Sequence, residues 1–170
     1  LLLGPALLKS RLGVDEVVTT LLLNFVALLL VGLLLEGPMQ DPMSMGWPQS
    51  APVIAEATLP RLVARTRVHA GLLVALAAAV LVWLYLDRTV WGLETQAVGS
   101  NARAAAYAGM PVSAVLVRAG LISGALAGLA GAGEVAGLKG YLTQDLSPGF
   151  GYTGIVVAML AQLNPLGVVL

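Results

Sequence analysis

Positions 17–35 and 70–86 are apolar runs without a charge, and 112–135 is a third run interrupted only by Arg118 and Glu134 near its ends. The first has about 19 residues and, at 1.5 Å per residue, is roughly 28 Å long as a helix, enough to cross a hydrocarbon core. Asn24 is its one strongly polar interior residue, Asp15 and Glu16 precede it where acidic groups suit a helix start, and Gly37-Pro38 ends it. The second run, of about 17 residues, is short but adequate, and Asp87 and Arg88 close it. In the third, Gly120, Gly124 and Gly128 recur every fourth residue, a spacing that lets two membrane helices approach closely. A fourth apolar stretch, 150–163, is too short to span and is broken by Asn164-Pro165 before apolar sequence resumes. It is either a broken or re-entrant helix or two helices joined by a tight turn. The pattern predicts an all-α, polytopic transmembrane bundle in one domain, with spans at about 17–35, 70–86, 112–135 and 150–170.

The connectors are unequal. Residues 36–69 carry Pro38, Pro42, Pro48, Pro52 and Pro60, a density that forbids long helices. Trp47 within them suits a membrane interface. Residues 87–111 are polar relative to their flanks. There Asn101 is a candidate N-cap for the helix formers 102–108, Gly109 a stop, and Pro111 the start of the next helix. The segment predicts a short helix along the membrane surface, either a plain connector or a docking element for a soluble partner. A further connector, 137–149, contains Lys139, Asp145 and Pro148.

Composition sharpens the class. Of the 170 residues 58% are hydrophobic and 11% charged, and mean hydropathy is +0.90. Disordered chains lack this apolar content, and a soluble globule needs more charge to coat its surface. Nine basic and nine acidic residues give zero net charge, so no basic field points to nucleic acid. Zero Cys and one His leave no thiolate chemistry and little basis for a metal site. With alternating crossings, Lys9, Arg11, Arg88 and Arg103 share one face, against Arg61, Arg65, Arg67 and Lys139 on the other. That even split leaves orientation open. The chain opens on Leu1 and ends within the apolar run 166–170, which is read as an internal segment of a longer protein.

No motif nominates an enzyme: there is no phosphate-binding GxxxxGK[ST] loop, no HExxH pair and no close carboxylate cluster. No cofactor is implied. Polar residues inside apolar segments are the candidates that remain. Asn24 either lines a polar pathway or bonds across helices. Glu134 is either a pathway residue or an interfacial or paired carboxylate. Arg118, two turns into its helix, can snorkel to the interface. Tyr152 and Thr153 either face a solute or pack.

The run TVWGLETQAVGSNARAAAYAGMPV resembles the cytoplasmic coupling segment of ABC-transporter permeases of the branched-chain amino acid, ribose and nucleoside type. Three other stretches are similar to the simple-sugar and nucleoside subgroup. They are DEVVTTLLLNFVALLL, the loop with PMQDP and PQSAPVIAEATLPRL, and SPGFGYTGIVVAMLAQLNPLGVVL. The likeness covers the chain from about residue 7 to 170 in collinear order. It implies a non-enzymatic permease subunit of a bacterial importer in the plasma membrane. The implied partners are a second permease, a cytoplasmic ABC ATPase that hydrolyses ATP, and an extracytoplasmic substrate-binding protein. By the same likeness 87–111 is cytoplasmic, with Gly92, Gly99, Asn101, Arg103, Ala104, Ala105 and Gly109 as matching coupling positions, and 36–69 is extracytoplasmic. The subgroup has an Arg where this chain has Gln162, and its members are longer, with further spans on both sides. The implied activity is import of nucleosides or simple sugars by alternating access. A branched-chain amino acid permease and an ATP-independent transporter or channel are the alternatives.

Overall fold

The computed structural model describes residues 3–63, 66–147 and 149–169. Leu1, Arg65, Pro148 and Leu170 of the sequence reading lie outside the described residues. The elements are α1 (Leu3–Leu12), α2 (Glu16–Glu36), α3 (Gly71–Arg88), α4 (Val90–Ser100), α5 (Ala102–Tyr107), α6 (Val112–Glu134) and α7 (Phe150–Leu160). A π-helical turn, Val135–Lys139, prolongs α6. Among the described residues there is no strand beyond isolated bridges such as Gln49 with Thr143. The all-α class is therefore observed.

Helix ends follow local chemistry. The Asp15 carboxylate accepts from Val17 N at 2.8 Å, satisfying one of the free amides that open α2. The α2 helix then runs 21 residues, about 31 Å, with Asn24 as its one interior amide. Among the described residues, three helical stretches are long and apolar enough to cross a membrane: Val17–Glu36, Gly71–Arg88 and Val112–Lys139. Their faces are largely open, as at Leu29, 75% exposed. Lipid or further helices must cover apolar surface of that extent.

Three local outcomes differ in detail from the sequence pattern. The N-terminal stretch forms α1, which packs against α2 and α6. The polar connector holds two helices, α4 and α5, rather than one. The apolar stretch after residue 149 forms only the 11-residue α7, about 16 Å. Gln162 and Leu163 follow with positive φ, 52° and 60°, and turns occupy the described remainder to Val169.

The molecule has two ends. The 37–70 loop lies over the C-terminal end of α6. Leu59 N donates to Ala136 O at 2.9 Å, Val53 N to Gly140 O at 2.7 Å and Ser50 N to Leu142 O at 3.0 Å. At the opposite end of α3 and α6, α4 and α5 pack on the start of α6, burying Val98, Ala105 and Val115 against Met110, Val112 and Leu116.

Candidate coupling and solute sites

At the α4–α5 end, Thr89 is extended and caps α4. Its hydroxyl accepts from Gly92 N at 3.0 Å and donates to Tyr85 O at 2.6 Å. Gly92 is where α4 meets the end of α3. A Cβ built there would collide with the Tyr85 carbonyl and lie 2.6 Å from both Cα and O of Leu86. Two more bonds fasten the helices: Gln96 Nε2 donates to Leu86 O at 3.0 Å, and the Tyr85 and Thr95 hydroxyls lie 3.0 Å apart.

Asn101 breaks the chain between the helices and caps α5, accepting from Arg103 N and Ala104 N, each at 3.1 Å. Gly109, at φ +83°, stops it in the left-handed conformation that favours glycine. Ala105 is buried, whereas Gly99, Arg103, Ala104 and Gly109 are exposed, and so is Tyr107 at 94%. Of the seven matching positions, Gly92, Asn101 and Ala105 thus hold the unit together. Asn101 is itself exposed, and Gly99, Arg103, Ala104 and Gly109, with Tyr107, form the rest of the outer surface. Asn101→Ala is expected to weaken α5 by about 1 kcal/mol. Hydrogen exchange of the Arg103 and Ala104 amides should accelerate about fivefold as a result; unchanged protection would contradict the cap.

Arg118 does not snorkel freely. Its guanidinium donates to the Glu94 carboxylate at 2.7 Å and to Trp91 O at 3.4 Å, and lies 5.3 Å from the centre of the Trp91 ring. This joins α4 to α6. Sequence inspection missed Glu94 because the partners lie 24 positions apart.

The solute candidates divide. Asn24 and Tyr152 line one cleft, between α2 and the 142–155 segment, together with Thr143 and Gln144, which the sequence reading did not single out. Thr153 is exposed outside that lining, and its hydroxyl donates to Gly149 O at 3.4 Å. Glu134 lies elsewhere, in a polar recess with Arg61, Arg67 and Lys139, and beside a mostly apolar cavity that His69 also lines. Along α6, Gly120 and Gly124 are half-buried, while Gly128 is exposed, with open space where a Cβ would sit. Among the described residues no group of three His, Cys, Asp or Glu could hold a metal ion.

Comparison with known proteins places this arrangement. The family described as "branched-chain amino acid transport system / permease component" matches residues 3–170. The chain belongs to that permease family. A glucose ABC transporter permease protein of Haloferax volcanii is 40% identical over 98% of this chain and 46% of its own length. A guanosine ABC transporter permease protein of Bacillus subtilis is 36% identical over 98% and 48%. A nucleoside ABC transporter permease protein of Lactococcus lactis is 30% identical over 96% and 47%. The chain therefore spans less than half the length of these relatives. No solved structure matches it. Family membership and three long apolar helices make it part of a multi-pass membrane protein.

Proposed function

We propose that this chain forms part of the permease subunit of an ATP-driven importer of nucleosides or simple sugars. It would act in the bacterial plasma membrane by alternating access. The observation that carries the reading is the collinear likeness, over nearly the whole chain, to permeases named for glucose, guanosine and nucleosides. The family's own description names branched-chain amino acids, which keeps an amino acid permease as the second reading. The subunit itself is not an enzyme: ATP is hydrolysed on a separate cytoplasmic ABC ATPase. A second permease completes the pathway, and an extracytoplasmic substrate-binding protein delivers the solute to the 36–69 side.

The α4–α5 unit is suited to coupling. It is short, capped at both joints and packed on the base of α6, so a push on its outer surface moves α6 as a rigid body. Arg103 is the cation on that surface. Reversing it, Arg103→Glu, in the full-length protein is expected to reduce ATPase co-purification at least tenfold with membrane insertion intact. Normal retention together with normal uptake would overturn the coupling role.

A further inference from the structure

The cleft between α2 and the 142–155 segment encloses about 490 Å³, room for a small ligand. Its walls are mainly apolar, from residues such as Leu21, Leu28 and Ile155, and among the described residues no Asp, Glu, Lys or Arg lines it. Five uncharged polar side chains line it: Asn24, Thr143, Gln144, Ser147 and Tyr152. None of the five is hydrogen-bonded through its side chain to another described residue. The Thr143 hydroxyl oxygen is buried and without a partner. That buried hydroxyl costs free energy unless something binds it, whereas Asn24, Gln144, Ser147 and Tyr152 are exposed and open to an incoming partner.

The placement of Gln144 is specific. Its amide nitrogen occupies the space that a Cβ on Gly32 of α2 would fill, and Gly32 is buried. The missing side chain at Gly32 lets the carboxamide lie against the helix that carries Asn24. Each carboxamide is both donor and acceptor and so can bind a ring hydroxyl; Gln144 sits at Gly32, about 12 Å along α2 from Asn24, so the two would meet different parts of a solute. The exposed Tyr152 ring adds a flat apolar face with a hydroxyl at its edge.

We propose that this cleft is a solute-contact subsite for the hydroxyl-bearing ring of an uncharged sugar or nucleoside. The proposal rests on the importer reading above and names the residues that would meet the solute. A cation or a carboxylate would find no counter-charge there.

The test uses the full-length permease, freed of cysteines, assembled with its ATPase and binding protein in proteoliposomes. Asn24→Cys and Gln144→Cys are exposed to a membrane-impermeant methanethiosulfonate, with Leu29→Cys on the open apolar face of α2 as control. Labelling at the two cleft positions is expected to be at least tenfold faster than at Leu29. Millimolar glucose or guanosine, whichever is carried, should slow it at least threefold, and leucine should not. The choice between glucose and guanosine separates a free sugar from a nucleoside. Gly32→Ala, which displaces the Gln144 amide without removing it, should lower uptake at saturating solute about threefold.

Labelling no faster than at Leu29 would overturn the subsite, as would labelling that neither solute slows or that leucine slows. If the assembly with Asn24 and Gln144 intact carries neither solute, the importer reading fails, and the labelling rates alone still decide whether the cleft meets water.

Discussion

Gly92→Ala in the full-length protein is expected, on the proposed coupling role, to lower solute uptake by more than tenfold. The methyl group would meet backbone atoms, the Tyr85 carbonyl and Leu86 Cα and O, which cannot rotate away as a side chain can. The α4 helix must therefore move off α3. Overpacking of this kind costs about 1–3 kcal/mol. The shift also strains the Thr89 cap and the Gln96–Leu86 and Tyr85–Thr95 bonds, each contributing about 1 kcal/mol. A total near 3 kcal/mol should appear as earlier thermal unfolding of the α3–α4 end in detergent. Gly99→Ala is the control. A Cβ there meets nothing within 4 Å, and alanine in place of glycine within a helix is stabilising by up to about 1 kcal/mol. Equal stability of the two variants would remove the argument for close approach. If stability is lost with Gly92→Ala alone while ATPase retention falls with Gly99→Ala, the first residue is structural and the second belongs to the docking surface.

What was legible in the sequence follows the range of the physics involved. The three long helices are set by long, predominantly apolar runs, which need no knowledge of neighbours. The Asn101 cap and the Gly109 stop are also local, and both appear where the sequence places them. The existence of α4 was not legible, because its polar residues do not follow a clean amphipathic stripe. They are spent on particular partners: Gln96 on Leu86 O, Thr95 on Tyr85, Glu94 on Arg118. Nor could sequence spacing show that Gly92 abuts the backbone of α3.

The candidate site shows the same limit. Asn24 stands out in the sequence because an amide interrupts an apolar run. Thr143 and Gln144 do not, since hydroxyls and amides are ordinary in a connector. They gain meaning only when the chain folds back after α6 and brings them beside α2, more than a hundred positions away. Glu134 was notable for the same reason as Asn24, yet the fold places it with Arg61, Arg67 and Lys139 instead. A polar residue in an apolar helix marks an interaction, and the fold decides with what.

The Glu94–Arg118 pair gives the second large effect. Its 2.7 Å contact is mostly shielded, with 20% and 25% of the two side chains exposed. Removing one partner leaves the other charge poorly solvated, which costs more than the net worth of the pair. Arg118→Met is expected to destabilise the protein by roughly 2–3 kcal/mol, since it also ends the stacking on Trp91. Glu94→Gln keeps an acceptor for the guanidinium and should cost about 1 kcal/mol. The double variant should be more stable than the sum of the singles by about 1 kcal/mol or more, because no charge is then stranded. Thermal unfolding of all four proteins measures this cycle, and additivity within about 0.3 kcal/mol would show that the contact carries no coupling. Arg118→Lys separates charge from shape: lysine keeps the cation but loses the planar fork that reaches Glu94 and lies over Trp91. Its stability should fall between those of the unaltered protein and Arg118→Met. Uptake should follow the same order, because the pair fastens α4 to α6, the helix through which a push on the α4–α5 unit would reach the membrane-spanning part. If Arg118→Met matches the unaltered protein in uptake while unfolding earlier, the pair stabilises the fold but does not transmit the push. The burden would then pass to the Val98–Ala105–Val115 contact at the base of α6.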